Sequence, residues 1–267
     1  MDACIIIPAR YASTRYPGKP LVALKGAGGV ARSLIERSVM AARAASGGAI
    51  PIYVATDDGR IADEARRIGA DVIMTSVACR NGTERVAEAI AVAGITADII
   101  VNLQGDAPLT PAHFVTALID ALRADPSCGM ATPCLRCDAE TVQNLLADRL
   151  AGRVGGTTVV SGHGARALYF SKEVIPFTNG KGVVDGVVPV FHHVGVYAYR
   201  PAALAAYQGW EPGPLEQLEG LEQLRFLENG YPIRTVEVSA PGAVFWELNN
   251  PSDVPLIEGY LARMGWD

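Results

Sequence analysis

The hydrophobic pattern of the first half of the chain alternates between two periods. Short apolar runs predict buried strands, and longer stretches with apolar residues three or four positions apart predict helices. Because strands and helices alternate, we predict an α/β fold with a doubly wound, mostly parallel sheet and helices on both faces. The predicted strands are residues 4–7, 50–55, 72–74, 99–103 and 130–134, and the predicted helices are residues 30–45, 61–68, 84–93 and 111–122.

The second half of the chain has a different pattern. Residues 152–164 and 180–186 are rich in glycine, threonine and valine, which is typical of β-hairpins. We therefore predict one domain, residues 1–267, in which residues 151–192 form a β-rich lid. The leucines of 215–228 are spaced by three and predict a helix that belongs to the core. Further predictions are strands over 194–199 and 233–238 and a closing helix over 251–264.

The composition narrows the class of protein. A net charge of −5 argues against binding to nucleic acid or to an anionic membrane. The chain has no apolar run of about 18 residues, so no membrane-spanning helix is expected, and its first residues lack the pattern of a signal peptide. Five cysteines are an odd number, which suggests free thiols and a cytoplasmic location.

The first predicted strand opens into a cationic loop. The strand is followed by three cations, Arg10, Arg15 and Lys19, and Ser13 lies among them. Asp2 is the single acidic residue of the first twenty. Ligands of open α/β sheets bind beyond the carboxyl ends of the strands, and these cations suit phosphate oxygens. The loop therefore predicts a polyanion site; the alternative is a solvated surface loop.

A carboxylate follows another predicted strand. Asp106 comes directly after residues 99–103 and Gln104-Gly105. A carboxylate at a strand's carboxyl end is well placed for Mg²⁺, which usually takes one or two protein carboxylates together with substrate phosphates. The alternative is a turn aspartate that caps the next element.

These segments resemble the CMP-KDO synthetases, the 3-deoxy-manno-octulosonate cytidylyltransferases. The similar segments are 8–20 (PARYASTRYPGKP), 81–85 (NGTER), 102–106 (NLQGD), 167–172 (ALYFSK), 192–197 (HHVGVY) and 214–225 (PLEQLEGLEQLR). That family activates an acidic 2-keto sugar with CTP and releases pyrophosphate. The resemblance implies a CTP-dependent nucleotidyltransferase of lipopolysaccharide biosynthesis with Mg²⁺ as cofactor. It also implies a homodimer, with 151–192 as a lid or dimerisation segment.

The resemblance also implies roles for individual residues. The catalytic residues would be Lys19, Arg10 and Asp106. CTP would be bound by Arg10, Ser13, Arg15, Lys19, Asn81, Gly82, Arg85 and Gln104. The small anionic acceptor would be bound by Gln104, His193, Glu216 and Gln223, and the metal by Asp106 and Asn249.

For two of these segments the residues themselves support a structural alternative. Asn81–Arg85 also fits a simple helix N-terminus with Arg85 on the surface. Glu222 and Arg225 also fit a surface pair one helical turn apart. The spacing of the residues does not decide between these alternatives and the roles that the resemblance implies.

Three positions depart from the family pattern. Thr158 precedes Val159-Val160 where the family has lysine, Ala107 follows Asp106 where the family has glutamate, and Asn249 stands where the family has a metal-binding aspartate. Glu247 is a candidate to compensate for that missing charge. The departures leave two alternatives open: a cytidylyltransferase for another acidic sugar or a phosphonate, and a non-catalytic nucleotide-binding relative. A nicotinamide-dependent enzyme is disfavoured because the G-x-G-x-x-G spacing is absent.

Overall fold

The computed structural model describes residues 2–13, 16–154, 156–179, 183, 186–239 and 247–267. The chain divides into two compact units, one of residues Met1–Thr116 with Gly242–Asp267 and the other of Ala117–Pro241. The single domain with a lid at 151–192 stays a prediction, and the proposed lid falls within the second unit.

The strands of the described residues are β1 (Ala3–Ala9), β2 (Ala23–Lys25), β3 (Ala31–Ser33), β4 (Ile52–Thr56), β5 (Asp71–Met74), β6 (Ile99–Leu103), β7 (Met130–Arg136), β8 (Thr158–Ser161), β9 (Ala167–Ser171), β10 (Phe191–His193), β11 (Val196–Tyr199) and β12 (Ile233–Glu237). The α-helices are α1 (Leu34–Ser46), α2 (Gly59–Arg67), α3 (Gly82–Ala93), α4 (Ala112–Ala124), α5 (Ala139–Leu150), α6 (Pro201–Gln208), α7 (Pro214–Glu219), α8 (Leu224–Glu228) and α9 (Val254–Met264).

The sheet of the first unit is parallel. Its strands lie in the order β5-β4-β1-β6, and β1 pairs with β4 and β6 on its two sides. Ile5, Ile6 and Ile7 are fully buried in β1. Parallel strands share the same direction, so the chain leaves β1, β4 and β6 at one edge, and the residues that follow these strands meet there.

The second unit is richer in antiparallel pairing. Strand β7 pairs antiparallel with β10 and β11 and parallel with β12, and β8 pairs antiparallel with β9 and β10. The predicted α/β fold with a mixed, mostly parallel sheet and flanking helices is confirmed. The hairpin β8–β9 matches the β-rich composition of 152–164 and its neighbours.

Two predicted helices are corrected by the structure. The helix expected over 30–45 begins at Leu34, because Ala31–Ser33 pair with β2 as β3 and Ser33 then caps the helix by accepting from the amide of Glu36. The helix expected over 215–228 is divided into α7 and α8, since Gly220 adopts a left-handed conformation with φ of 62°.

The leucines of that stretch were expected in the core, and this expectation is wrong for the first part. Leu218 is 82% exposed and Leu215 is 38% exposed, whereas Leu224 is fully buried. The break at Gly220 changes the helical phase, so an apolar spacing of three does not lie on one continuous face.

Two further sequence expectations concern the membrane and the cysteines. Among the described residues, none of the helices has the length and apolar character needed to cross a membrane. All five cysteines are buried and unpaired, in agreement with the expectation of free thiols.

Candidate functional site

The cationic loop after β1 is closed by backbone contacts. The amide of Gly18 donates to the carbonyl of Tyr11 at 2.9 Å, and a short 3-10 helix, Lys19–Leu21, follows directly. Gly18 has a φ of 73°, and a Cβ there would lie 3.1 Å from the ring of Tyr11. A glycine is therefore needed at this point, where the loop turns back and delivers Lys19.

Lys19 and Asp106 are brought together at the edge of the parallel sheet. The Nζ atom of Lys19 lies 2.7 Å from Oδ2 of Asp106, and these side chains are 15% and 26% exposed. Asp106 reaches this position because Gly105 passes close to β1: a Cβ on Gly105 would lie 2.8 Å from the carbonyl oxygen of Pro8. The ion pair is shielded but open enough for a ligand to compete for either partner.

The other nucleotide-site candidates of the first unit lie around the same edge. Asn81 caps α3 by accepting from the amide of Glu84 at 2.8 Å. A Cβ on Gly82 would lie 3.2 Å from the side-chain amide of Gln104, so these two residues are neighbours. A guanidinium nitrogen of Arg10, Nη1, donates to the carbonyl of Arg80 at 3.3 Å.

Ser13 and Arg15, the remaining nucleotide-site candidates of the loop, have fewer described contacts. The hydroxyl oxygen of Ser13 accepts a long hydrogen bond, 3.4 Å, from the amide of Tyr16. Arg15 lies outside the described residues, so its role in nucleotide binding stays a prediction.

Arg85 is buried, and the alternative that placed it on the surface is wrong. Its side chain is 3% exposed and pairs with Asp57 at 3.0 Å, while Nη1 donates to the hydroxyl of Thr75 at 2.6 Å. Asp57 and Thr75 directly follow β4 and β5, so Arg85 ties the start of α3 to the carboxyl ends of two strands. Neither partner was predicted from the sequence, although the rule that strand ends meet at one edge applies to them as well.

The residues proposed to hold a metal come from two neighbouring segments. The amide of Leu248 donates to the carbonyl of Asp106 at 2.9 Å, which brings Glu247 and Asn249 next to the Asp106 backbone. The side-chain amide of Asn249 donates to Glu247 at 3.3 Å. No group of three or more His, Cys, Asp or Glu residues forms a metal cluster among the described residues.

This donor set fits Mg²⁺ better than it fits a transition metal. The oxygens of Asp106, Glu247 and Asn249 are hard ligands, which Mg²⁺ prefers, and Mg²⁺ takes few protein ligands when phosphates supply the rest. A preassembled cluster of several carboxylates is therefore not required.

The acceptor candidates of the second unit are held by protein contacts. Both carboxylate oxygens of Glu216 accept from Arg225, at 2.6 and 2.7 Å, and Arg225 is 1% exposed. The alternative that placed Arg225 on the surface is therefore wrong, because its guanidinium points inward to Glu216. The carboxylate of Glu228 also holds the start of α7, because it accepts hydrogen bonds from the amides of Leu215 and Glu216.

His193 is a buried, neutral imidazole. Burial, with a smaller contribution from His192, lowers the pKa of His193 to about 3. Its Nε2 lies 3.0 Å from the hydroxyl oxygen of Thr132. That hydroxyl donates its only proton to the carbonyl of Val196 at 2.9 Å. The hydroxyl thus accepts from Nε2–H, and Nδ1 is the ring nitrogen that carries a lone pair.

Gln223 has one satisfied and one unsatisfied end. Its Oε1 accepts from the hydroxyl of Tyr197 at 3.4 Å, while Nε2 is buried and has no hydrogen-bond partner among the residues that the structure describes. A buried donor without a partner is costly unless a ligand or water satisfies it. Among the acceptor candidates of the second unit, Gln223 therefore has the clearest capacity to bind a further group.

Comparison with known proteins gives consistent findings. A family model described as cytidylyltransferase matches residues 4–236. A 3-deoxy-manno-octulosonate cytidylyltransferase from Maricaulis maris is 43% identical, covering 99% of each chain, and one from Syntrophotalea carbinolica is 38% identical, covering 98% of this chain and 99% of its own. The solved structure of CMP:2-keto-3-deoxy-manno-octonic acid synthetase complexed with CTP matches with a TM-score of 0.83 at 32% identity, covering 99% of this chain and 100% of that one.

Proposed function

The protein belongs to the cytidylyltransferase family, and from this premise we propose that it transfers CMP from CTP to an acidic 2-keto sugar such as KDO. The observation that carries the proposal is the contact between Lys19 and Asp106 at 2.7 Å. It joins a phosphate-binding cation to a carboxylate suited to Mg²⁺ at the sheet edge where ligands of this fold class bind.

The reaction needs charge neutralisation more than covalent help. A hydroxyl oxygen of the sugar attacks the α-phosphorus in line, the bond to the pyrophosphate oxygen breaks, and the hydroxyl proton is released. Lys19 neutralises oxygens of the α-phosphate, and Arg10 and Arg15 hold the β- and γ-phosphates. Cations fixed in advance stabilise developing charge without reorganisation during the reaction.

Mg²⁺ is the proposed cofactor, held by Asp106 with Asn249 and Glu247 at its side. When bound, the ion would neutralise phosphate charge and orient the triphosphate. The Asp106 carboxylate, whose two oxygens both accept, would serve the metal, and Lys19 would turn from Asp106 to the phosphate.

The acceptor is proposed to be bound by Gln104, His193 and Gln223, with an indirect contribution from Glu216. Nδ1 of His193 can accept from a sugar hydroxyl, and Nε2 of Gln223 can donate to a hydroxyl or a carboxylate. The carboxylate of Glu216 is engaged by Arg225, so its contribution to the acceptor is through the position it gives to α7.

A different anionic acceptor is the second candidate, because of one departure from the family pattern and its surroundings. Thr158 stands where the family has lysine, and it is the direct partner of His192 across β8 and β10. Burial lowers the pKa of His192, and the hydroxyl of Thr158 donates to the carbonyl of Glu173 at 2.7 Å. The cation of the family is thus replaced by a neutral hydroxyl beside a neutral imidazole, which favours an acceptor with less negative charge at this point.

We also propose a homodimer and a cytoplasmic location. Large apolar side chains are exposed within 151–192, among them Phe177 at 88%, Leu168 at 65% and Val154 at 55%. Contact with a second copy would remove this surface from water. The buried, unpaired cysteines suit a reducing compartment.

A pyrophosphate-release assay tests the proposed function. Purified protein with Mg²⁺ and CTP is given KDO, another acidic sugar, a phosphonate or no acceptor, and UTP replaces CTP as the nucleotide control. We expect release with CTP and KDO. Release with another acceptor and none with KDO supports the second candidate, and CTP binding without release under any condition contradicts both.

A further inference from the structure

Tyr11 lies near the start of the nucleotide loop and contacts Gly18, near the end of the loop. Its carbonyl accepts from the amide of Gly18, and its ring packs against the Gly18 backbone. Lys19 follows Gly18 directly and reaches Asp106. The position of the Tyr11 ring is therefore coupled, through Gly18, to the position of the Lys19 ammonium group.

A residue from another element holds this ring. The guanidinium carbon of Arg60, on α2, lies 3.3 Å from the centroid of the Tyr11 ring. A guanidinium group stacked on an aromatic face is attracted by the ring quadrupole. Helix α2 also contacts the 3-10 helix Lys19–Leu21, so Arg60 approaches the loop from a neighbouring, ordered element.

Arg60 is itself fixed by Asp58. Its Nε donates to Oδ1 of Asp58 at 3.0 Å and its Nη2 to Oδ2 at 2.6 Å, while Oδ1 also accepts from the Arg60 amide at 2.9 Å. The amide of Asp58 donates to the hydroxyl of Thr56, at the end of β4. Hydrogen bonds from Arg60 hold the pKa of Asp58 below its usual value, so the carboxylate stays charged at neutral pH.

This arrangement is unusual for an exposed arginine. The side chain of Arg60 is 59% exposed, and an exposed arginine normally samples many rotamers. Two parallel hydrogen bonds and a stacked ring restrict Arg60 to one. The restriction extends from the end of β4 through Asp58 and Arg60 to Tyr11.

We propose that Arg60 is a positioning residue for nucleotide binding: fixed by Asp58 and stacked on Tyr11, it holds the loop in the conformation that presents Lys19 beside Asp106. The proposal rests on the proposed function. In this proposal Arg60 acts through Tyr11 and does not contact the phosphates. The competing explanation is that Arg60, as an exposed cation near the loop, binds the triphosphate directly.

Steady-state kinetics separate these explanations. In Arg60→Ala we expect kcat/KM for CTP to fall about fivefold, the scale of one exposed cation–π contact, with KM for the acceptor unchanged. Arg60→Lys keeps the charge but loses the two-pronged contact with Asp58, so it should recover little of the loss. The matched control is Arg66→Ala on the same helix, where Arg66 forms an exposed pair with Asp63, and it should behave as wild type.

A double-mutant cycle then tests whether Arg60 acts through Tyr11. Tyr11→Leu removes the ring, and Tyr11→Phe retains it as a control. If the proposal holds, Arg60→Ala causes no further loss in the Tyr11→Leu background. An undiminished fivefold loss in that background, or full recovery in Arg60→Lys, would show direct phosphate binding and overturn the proposal.

Hydrogen exchange gives a readout that does not depend on catalysis. In protein without CTP, exchange of the Gly18 amide should be about fivefold faster in Arg60→Ala than in wild type or Arg66→Ala, since its bond to Tyr11 opens more often. Equal exchange in all three proteins contradicts the positioning role. A wild type that exchanges as expected but releases no pyrophosphate contradicts the proposed function alone.

Discussion

The two compact units use their predicted site residues in different ways. In the first unit, Lys19 and Asp106 meet at the sheet edge and remain 15% and 26% exposed. In the second unit, Glu216 and Arg225 form an ion pair whose side chains are 10% and 1% exposed. Motif residues of one family can thus either lie at an accessible edge, where a ligand could compete for them, or form a buried ion pair that holds the fold together.

The physical reason is the environment of each charge. A phosphate-binding cation must exchange a protein partner for a ligand, so its ion pair has to be accessible and only moderately strong. A buried pair such as Glu216 with Arg225 cannot be opened without leaving a charge unpaired in the interior, which is strongly unfavourable.

Lys19→Ala should produce the largest effect on activity. Loss of the cation at the α-phosphate is expected to lower kcat about 1000-fold, as for other preorganised groups that stabilise transition-state charge. The free energy of unfolding should change little, because the ion pair with Asp106 is partly exposed. Pyrophosphate release and urea unfolding measure the two quantities.

Lys25→Ala is the matched control, since Lys25 is an exposed residue of β2. It should retain wild-type turnover. Near-normal turnover in Lys19→Ala would remove the distinction that we draw between the two units.

Glu216→Gln should produce the largest effect on stability. It leaves the Arg225 guanidinium buried without its charged partner, so the free energy of unfolding should fall by about 3 kcal/mol. Urea unfolding measures this, with Glu140→Gln, an exposed change on α5, as control. Unchanged stability with a raised KM for the acceptor would instead assign Glu216 to ligand binding.

His193→Gln should alter the pH dependence of stability. In the folded protein the pKa of His193 is about 3, whereas in the unfolded chain it is about 6.5. Only the unfolded state then takes up this proton between these values, so acidification favours unfolding. From pH 7 to pH 5 this residue should cost wild type about 2 kcal/mol.

Glutamine does not titrate, so the variant should lose correspondingly less stability over the same interval. His163→Gln, at an exposed position, serves as the control in urea unfolding at the two pH values. An identical pH dependence in wild type and His193→Gln would show that His193 is not a buried neutral group.

Asn249→Asp should produce the smallest of these effects, and it tests whether Asn249 is a ligand of Mg²⁺. An added carboxylate beside Asp106 is expected to lower the Mg²⁺ concentration for half-maximal rate about tenfold. Asn250→Asp makes the same charge change one residue away and should not do so. Calorimetric titration with Mn²⁺ provides a second readout, and equal affinity in both variants would exclude Asn249 as a ligand.

The sequence predicted local elements well where one physical signal dominated. The apolar runs in β1, β4 and β6 form strands, because short runs rich in β-branched residues favour a strand that is covered on both faces. Prediction was wrong where a tertiary contact competed with the local signal. Residues 31–33 continue a helical pattern, yet they pair with β2, and Gly220 interrupts a helix whose leucines suggested one continuous face.

The residues of the candidate site were likewise predictable where one local signal dominated and not where contacts between distant segments decide. The cations of the loop and the carboxylate after β6 were predictable because each follows a strand whose carboxyl end must lie at the shared edge. The pairing of Glu216 with Arg225 and the stacking of Arg60 on Tyr11 were not predictable. Their members are separated by 9 and 49 residues in sequence, and no local pattern relates them.

The amino-acid sequence by itself determined the family, the strands of the parallel sheet and the groups available to bind a triphosphate. These depend on residue identity and short spacing, which the chain carries without folding. The tertiary structure decided which of those groups remain accessible. Accessibility and ion-pair choice depend on contacts between distant segments, and only the folded chain brings those segments together.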